Sequence, residues 1–226
     1  MLRILGRGTS GNVQKVVWLL EELGEKYVRE DYGRQFNNTQ TAEYLALNPH
    51  GKVPTLLDGE LAVWESNTIL RYLCNKLPKG RELYPNEPAV RSQIERWMDW
   101  QLAALNGPYL GVFREAKKKP EERAANFAGD AKELAAQLEL LEKGTAGRAF
   151  LAGTSFSLAD VCLGPIIDRI FGFPIELPGL PGLKAWHAKI AKHQEAECHD
   201  AVAALLRRAL LQRGRAGRDD DGGTAA

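Results

Sequence analysis

The chain has 226 residues, 30 of them Lys or Arg and 29 Asp or Glu, for a net charge of +1 and a pI near 7.7. That balance gives no electrostatic case for binding nucleic acid or an anionic membrane, and no apolar run approaches the roughly 20 residues of a membrane span. The length allows one or two domains with ample chain to bury a core.

The residue types exclude more. Cys74, Cys162 and Cys198 are odd in number and widely spaced, with no Cys-x-x-Cys. This suits buried thiols in a reducing cytoplasm, and neither a disulfide framework nor a zinc site is expected. His50, His187, His193 and His199 form no ligand pair four residues apart, so no metal site is expected.

In chain order the pattern begins as βαβ. Residues 2–6 read as a short strand and not as a signal peptide, and Thr9-Ser10-Gly11-Asn12 as a turn. A helix follows, with Val13, Val16, Val17 and Leu20 on one face and Gly24 just past its end. Residues 27–31 suit a second strand, 33–40 a polar loop, and 41–47 a short helix ended by Asn48-Pro49. Strands at about 55–57 and 61–63 flank a hairpin turn at Asp58-Gly59, and 66–76 makes a closing helix.

The most informative stretch is Asn48-Pro49-His50-Gly51-Lys52-Val53-Pro54, with Glu65-Ser66 beyond the hairpin. Pro54 cannot donate to a ladder, so it belongs at a strand start, where a cis peptide fits. The Val53 N–H and C=O are then free for an extended, peptide-like ligand. The Ser66 hydroxyl and the N–H groups of the new helix favour a carboxylate, with Glu65 able to take an ammonium beside it. One short ligand with a backbone, an amine and a carboxylate is implied.

After Leu77-Pro78-Lys79-Gly80 a linker runs to Pro88, suited to the first position of a helix. Everything beyond reads as helical. A long helix spans 89–105, disturbed at Asn106-Gly107-Pro108, and another spans 121–143, ending at Gly144. Ser157-Leu158-Ala159-Asp160 opens a third with an Asp variant of the capping box, and Phe156 stands where a hydrophobic staple has its outer residue. Residues 183–191 and 195–211 complete the helices, and 213–226 has the composition of a disordered tail.

These motifs, in this order, resemble the cytosolic glutathione S-transferase superfamily, over nearly all the chain except its tail. In that family a Val-Pro with a cis proline holds the cysteinyl part of glutathione, and a Glu-Ser or Gln-Ser pair holds its γ-glutamyl end. The Ser157–Asp160 box matches the family's C-terminal capping box. The run Glu95-Arg96-Trp97-Met98-Asp99-Trp100 looks like bacterial members related to the beta, theta and GstB-like groups. The resemblance implies an α/β thioredoxin-like N-terminal domain over 1–78, a linker over 79–88 and an all-α C-terminal domain over 89–212. It also implies a cytoplasmic, detoxifying C2 homodimer with glutathione as co-substrate, acting on a small hydrophobic electrophile in the cleft between the domains. Lys52 would reach the glycyl carboxylate.

The family places its thiol-activating residue in the turn after the first strand. A thiol of pKa about 8.5 is only about 3% thiolate at pH 7, and donors or a helix dipole aimed at the sulfur raise that fraction. This turn holds no Tyr or Cys, which argues against omega-type and glutaredoxin-like members. Ser10 resembles the serine-type enzymes and Asn12 the members with a Thr/Ser-x-Asn arrangement, with Thr9 beside them; either could instead simply cap the helix. Spacing slightly favours Asn12. Lys15 reads more readily as a solvated surface lysine than as a thiolate partner. Trp97, Trp100, Tyr109 and Phe113 lie on or after the long helix, mostly as core residues, with Tyr109 or Phe113 the candidates for an electrophile pocket. A glutathione-dependent disulfide or peroxide reductase, and a binding module without turnover, remain open alternatives.

Overall fold

The computed structural model describes residues 1–197. The helix expected at 195–211, the tail at 213–226, Cys198 and His199 lie wholly or largely outside the described residues. The N-terminal half folds as β1 (Leu2–Leu5), α1 (Gly11–Leu23), β2 (Tyr27–Glu30), α2 (Ala42–Leu47), β3 (Thr55–Asp58), β4 (Leu61–Trp64) and α3 (Ser66–Lys76). The sheet order is β2-β1-β3-β4, with β1 parallel to β2 and antiparallel to β3, and β3 antiparallel to β4. Asp58 pairs with Leu61, so the hairpin loop is Gly59-Glu60 rather than Asp58-Gly59, with Gly59 at φ 62° in its first position.

Helix α1 shows why pattern alone understates burial. Its Val13–Val16–Val17–Leu20 stripe is buried, but so are Trp18 and Leu19 on other faces. The second burying surface is α8, which packs on α1. Gly24, at φ 66°, closes α1 with bonds from its own N–H to Glu21 and from the Glu25 N–H to Leu20, a Schellman arrangement.

The second half comprises α4 (Gly80–Leu83), α5 (Pro88–Trp100), a π-helical turn (Gln101–Leu105), α6 (Asn106–Glu115), α7 (Phe127–Gly144), α8 (Leu158–Ile170) and α9 (Pro181–Glu197). The Glu87 carboxylate accepts the Ala89 and Val90 N–H groups ahead of Pro88. Three boundaries differ from the sequence expectation. The helix does not break at Asn106-Gly107-Pro108 but widens one turn earlier, because Pro108 has no N–H and its ring would press on the carbonyl of Ala104. Helix α7 begins at Phe127 and not near residue 121, since a turn at Pro120–Glu122 and the Glu115 carboxylate, which takes the Ala124 N–H, hold the chain out of register. The expected gap between residues 191 and 195 is continuous helix.

Helix α8 is the central element of the second half. Asp160, fully buried, accepts the Ser157 N–H at 2.9 Å and the Ser157 hydroxyl at 3.0 Å. It also takes the Leu151 N–H at 3.0 Å and the Trp186 indole N–H at 2.8 Å. Burial pushes its carboxyl up from the ordinary range while these donors pull against that. Phe156 packs on Trp18, Phe150 and His193, tying the entry of α8 to α1 and α9. One continuous apolar core runs from Leu2 to Ile190 through both halves.

Candidate active site

A cleft of about 450 Å³ opens between the two halves. Ser10, Asn12, Lys52, Val53, Pro54, Glu65 and Ser66 line one side, and Leu102, Tyr109, Leu110, Phe113 and Ile166 the other. The residues singled out from the sequence therefore converge on one cavity, with the exception of Thr9. Thr9 does not line the cleft; its carbonyl accepts the Arg169 guanidinium at 3.0 Å.

Helix α1 starts at Gly11, so Asn12 lies in its first turn and Ser10 holds the cap position, at φ −83° and ψ 124°. The Ser10 hydroxyl makes no capping bond, although the residue is only 7% exposed. A hydroxyl at a helix N-terminus that does not cap it is free to donate elsewhere. Gly11 is fixed by α8: a Cβ there would lie 3.0 Å from the Ile166 side chain.

The Val53–Pro54 bond is cis. The loop before it is anchored through Lys52, whose carbonyl accepts both the Tyr44 hydroxyl and the Asn48 amide at 2.7 Å. The Thr55 hydroxyl, itself accepting from Asn48 at 3.0 Å, lies 2.9 Å from the Tyr44 oxygen. These bonds tie the Lys52 carbonyl and Thr55 hydroxyl on either side of Val53-Pro54 and so hold Val53 at the cleft wall. Among the described residues, no backbone pairing uses the Val53 N–H or C=O.

Glu65 precedes α3 at φ 66°, a left-handed conformation unusual for a side-chain-bearing residue. Such backbone clusters at ligand sites. Its carbonyl takes the Ile69 N–H, leaving the N–H groups of the first turn without helical partners beside the buried Ser66. Its carboxylate stands 3.3 Å from His50 Nδ1. His50 thereby joins the Val-Pro loop to the Glu-Ser helix start, beyond the metal-ligand role its residue type suggests.

Lys15 departs most from expectation. It is completely buried, not a solvated surface residue, and burial lowers its pKa. Its ammonium donates to Gln101 Oε1 at 2.9 Å and Asn67 Oδ1 at 3.4 Å, with the Cys162 thiol donating to the same Asn67 oxygen at 3.2 Å. Lys15 comes from α1, Asn67 from α3, Gln101 from the π turn and Cys162 from α8. The network thus pins the helix starts that carry Ser10 and Ser66 to the second half.

Five further lining residues had no local signal: Arg7, Arg34, Arg114 and Arg169, together with Thr39. Tyr109 and Phe113 both reach the cleft, stacked 5.9 Å apart and joined by Phe173, 5.8 Å from Tyr109. Burial pushes the Tyr109 phenol up, with Arg169 pulling against it. Trp97 and Trp100 instead meet edge to face at 5.5 Å in the helix packing. A separate groove of about 540 Å³, bounded by Met1, Val17 and Tyr27, contains none of the candidate residues.

A four-stranded mixed sheet with flanking helices, a following helical half and a cleft between them with a cis Val-Pro define a transferase-like architecture. Residues 2–75 match the family described as Glutathione S-transferase, N-terminal domain, and residues 105–194 match Glutathione S-transferase, C-terminal domain. Glutathione S-transferase GstB of Escherichia coli (strain K12) is 35% identical over 196 residues, covering 85% of this chain and 94% of that protein. The theta class glutathione S-transferase from Xanthomonas axonopodis pv. citri, solved with glutathione bound, is 37% identical at a TM-score of 0.81, covering 89% of this chain and 98% of that one. Human glutathione S-transferase theta-2 is 29% identical over 182 residues, 74% of this chain and 71% of that protein. The chain belongs to the glutathione S-transferase family.

Proposed function

We propose that this protein is a glutathione transferase whose Ser10 hydroxyl donates to the bound thiolate. The observation that carries this reading is the convergence, on one 450 Å³ cleft, of the Ser10–Asn12 helix start, the cis Val53–Pro54 loop and the Glu65–Ser66 helix start. In this reading the Val53 backbone pairs with the cysteinyl part of glutathione. Ser66 and the N–H groups of α3 hold the γ-glutamyl carboxylate, Glu65 takes its ammonium, and Lys52 faces the glycyl carboxylate. Thr9 supports the turn through its carbonyl.

The chemistry required is modest. Lowering a thiol from about 8.5 by two units raises the thiolate fraction at pH 7 roughly 25-fold, for about 2.7 kcal/mol of differential stabilisation. The Ser10 hydroxyl, the Asn12 amide and the positive end of α1 are three contributors of suitable size. The thiolate then attacks the electrophilic carbon, the leaving group departs with its bonding pair, and the thiol proton passes to solvent. Residues 1–78 and 89–212 act as the glutathione-binding and electrophile-binding domains, joined by 79–88. A cytoplasmic homodimer with a detoxifying role belongs to the same reading.

The test is the ultraviolet thiolate absorbance of bound glutathione across pH for the wild type, Ser10→Ala and Asn12→Ala. A bound thiol titrating well below about 8.5, restored toward it chiefly by Ser10→Ala, is expected. Restoration by Asn12→Ala alone would transfer the role to Asn12. Binding with an unshifted thiol would overturn the catalytic reading, and absence of binding would overturn the whole assignment.

A further inference from the structure

The cleft has a pronounced charge asymmetry away from the glutathione-facing residues. Arg7, Arg34, Arg114, Arg169 and Lys52 line it, while Glu65 is the only carboxylate among the lining residues. Glu65 lies beside His50. None of the four arginines forms an ion pair with a described carboxylate.

Three of the four are drawn together. The Arg34 and Arg169 guanidinium carbons lie 5.0 and 5.4 Å from the centroid of the same ring, Phe113. Arg7 is close enough to both that their charges, after its own burial, depress its pKa. Its Nε is buried without a hydrogen-bond partner. Gly33 makes room for it: a Cβ at that position would lie 2.9 Å from Arg7 Nη1. Arg34, the next residue, is held at φ 46°. Arg169 is oriented by the Thr9 carbonyl and, at 3.3 Å, by Gln14.

Like charges gathered without a counter-charge repel one another, screened by water at the exposed Arg34, and the buried, unpartnered Arg7 Nε adds the cost of an unmade hydrogen bond. An anion entering the site would relieve that cost and find guanidinium forks suited to a carboxylate. The Tyr109–Phe113–Phe173 stack beside them offers a flat apolar wall. Because Arg169 is bonded to the residue preceding Ser10, an anion held there lies near the thiol-activating turn.

We infer that the electrophile this site takes is an aromatic or unsaturated carboxylate, its acid group held by Arg7, Arg34 and Arg169 and its body against Phe113 and Tyr109. This rests on the transferase reading above and revises its substrate from a merely hydrophobic electrophile to an anionic one. For a chloroarene acid the balance is simple. Sulfur bonds to the ring carbon bearing chlorine, the carbon–chlorine bond breaks, chloride leaves with the pair, and no oxidant or reductant is needed.

The test compares 4-chloro-3-nitrobenzoate with the neutral 4-chloro-3-nitrobenzamide, each kcat/KM divided by its uncatalysed rate with glutathione at low salt. Arg34→Asn keeps a residue tolerant of positive φ and removes the charge, and Arg34→Lys keeps the charge. The wild type is expected to favour the acid by about tenfold or more, near 1.4 kcal/mol. Arg34→Asn should cut that preference at least fivefold and Arg34→Lys should retain most of it. Equal handling of acid and amide by the wild type overturns the inference while leaving the transferase reading intact. So does an Arg34→Asn loss that falls equally on both, or a matching loss in glutathione affinity, which would assign the arginines to glutathione. Should neither compound turn over, turnover does not report the charge preference. Calorimetry with unreactive 3-nitrobenzoate then decides: Arg34-dependent binding supports the anion site and no binding overturns it.

Discussion

The Lys15 ammonium sits 2.9 Å from the Gln101 amide oxygen, joining the first helix of one half to the π turn of the other. No carboxylate accepts from it among its hydrogen-bond partners, which are neutral amides. Burial therefore lowers its pKa in the folded chain, while in the unfolded chain it titrates near the ordinary value of about 10.4. Between those two values the unfolded state binds the extra proton, so stability contributed at this site rises with pH and levels off above about 10.4. Replacing Lys15 by Met should remove that rise. Urea unfolding of wild type and Lys15→Met at several pH values from 7 to 10 checks it; parallel stability curves would disprove the assignment.

Cys74 and Cys162 are both fully buried, and burial pushes the first up to about 12 and raises the second. Neither presents a thiolate at neutral pH. In a Cys198→Ser background, a disulfide reagent should find no reactive thiol in the native protein and two after unfolding. Rapid native reaction would contradict the packing of α8 against α3.

Asp160 gathers four donors at the start of α8. Asp160→Asn keeps the shape but turns an NH2 toward groups that themselves donate. A loss of about 2–3 kcal/mol is expected from buried donors left unpaired, measured as a lower urea midpoint with an unchanged slope. A loss under about 0.5 kcal/mol would mean that the carboxylate charge contributes little there.

Gly164 lies where α8 crosses α1. A Cβ there would fall 2.5 Å from the Trp18 ring and 3.1 Å from Ile190. The ring is buried and cannot swing aside, so Gly164→Ala should destabilise by about 1–3 kcal/mol despite the better helix propensity of Ala. Thermal unfolding would report a lowered midpoint.

Local signals carried much of the architecture. Gly24, Pro88 and the Ser157–Asp160 pair mark helix ends through their own backbone and side-chain chemistry, and the expected α3 range agrees with Ser66–Lys76. The boundaries that moved did so for non-local or displaced reasons. Pro108 expresses itself one turn upstream, and Glu115 sets the entry of the chain toward Phe127 by bonding Ala124.

The sequence by itself determined one wall of the cleft, because the backbone geometry at Val53-Pro54 and Glu65-Ser66 is dictated by residue types nearby. Only the tertiary structure decided that Lys15 is buried and that Arg7, Arg34 and Arg169 share one cleft. Arg169 lies far along the chain from Arg7, Lys15 and Arg34, yet it bonds the carbonyl of Thr9. The burial of Lys15 and the approach of Arg169 to the turn before α1 depend on α8 packing against α1, a contact between side chains that no spacing along the sequence encodes.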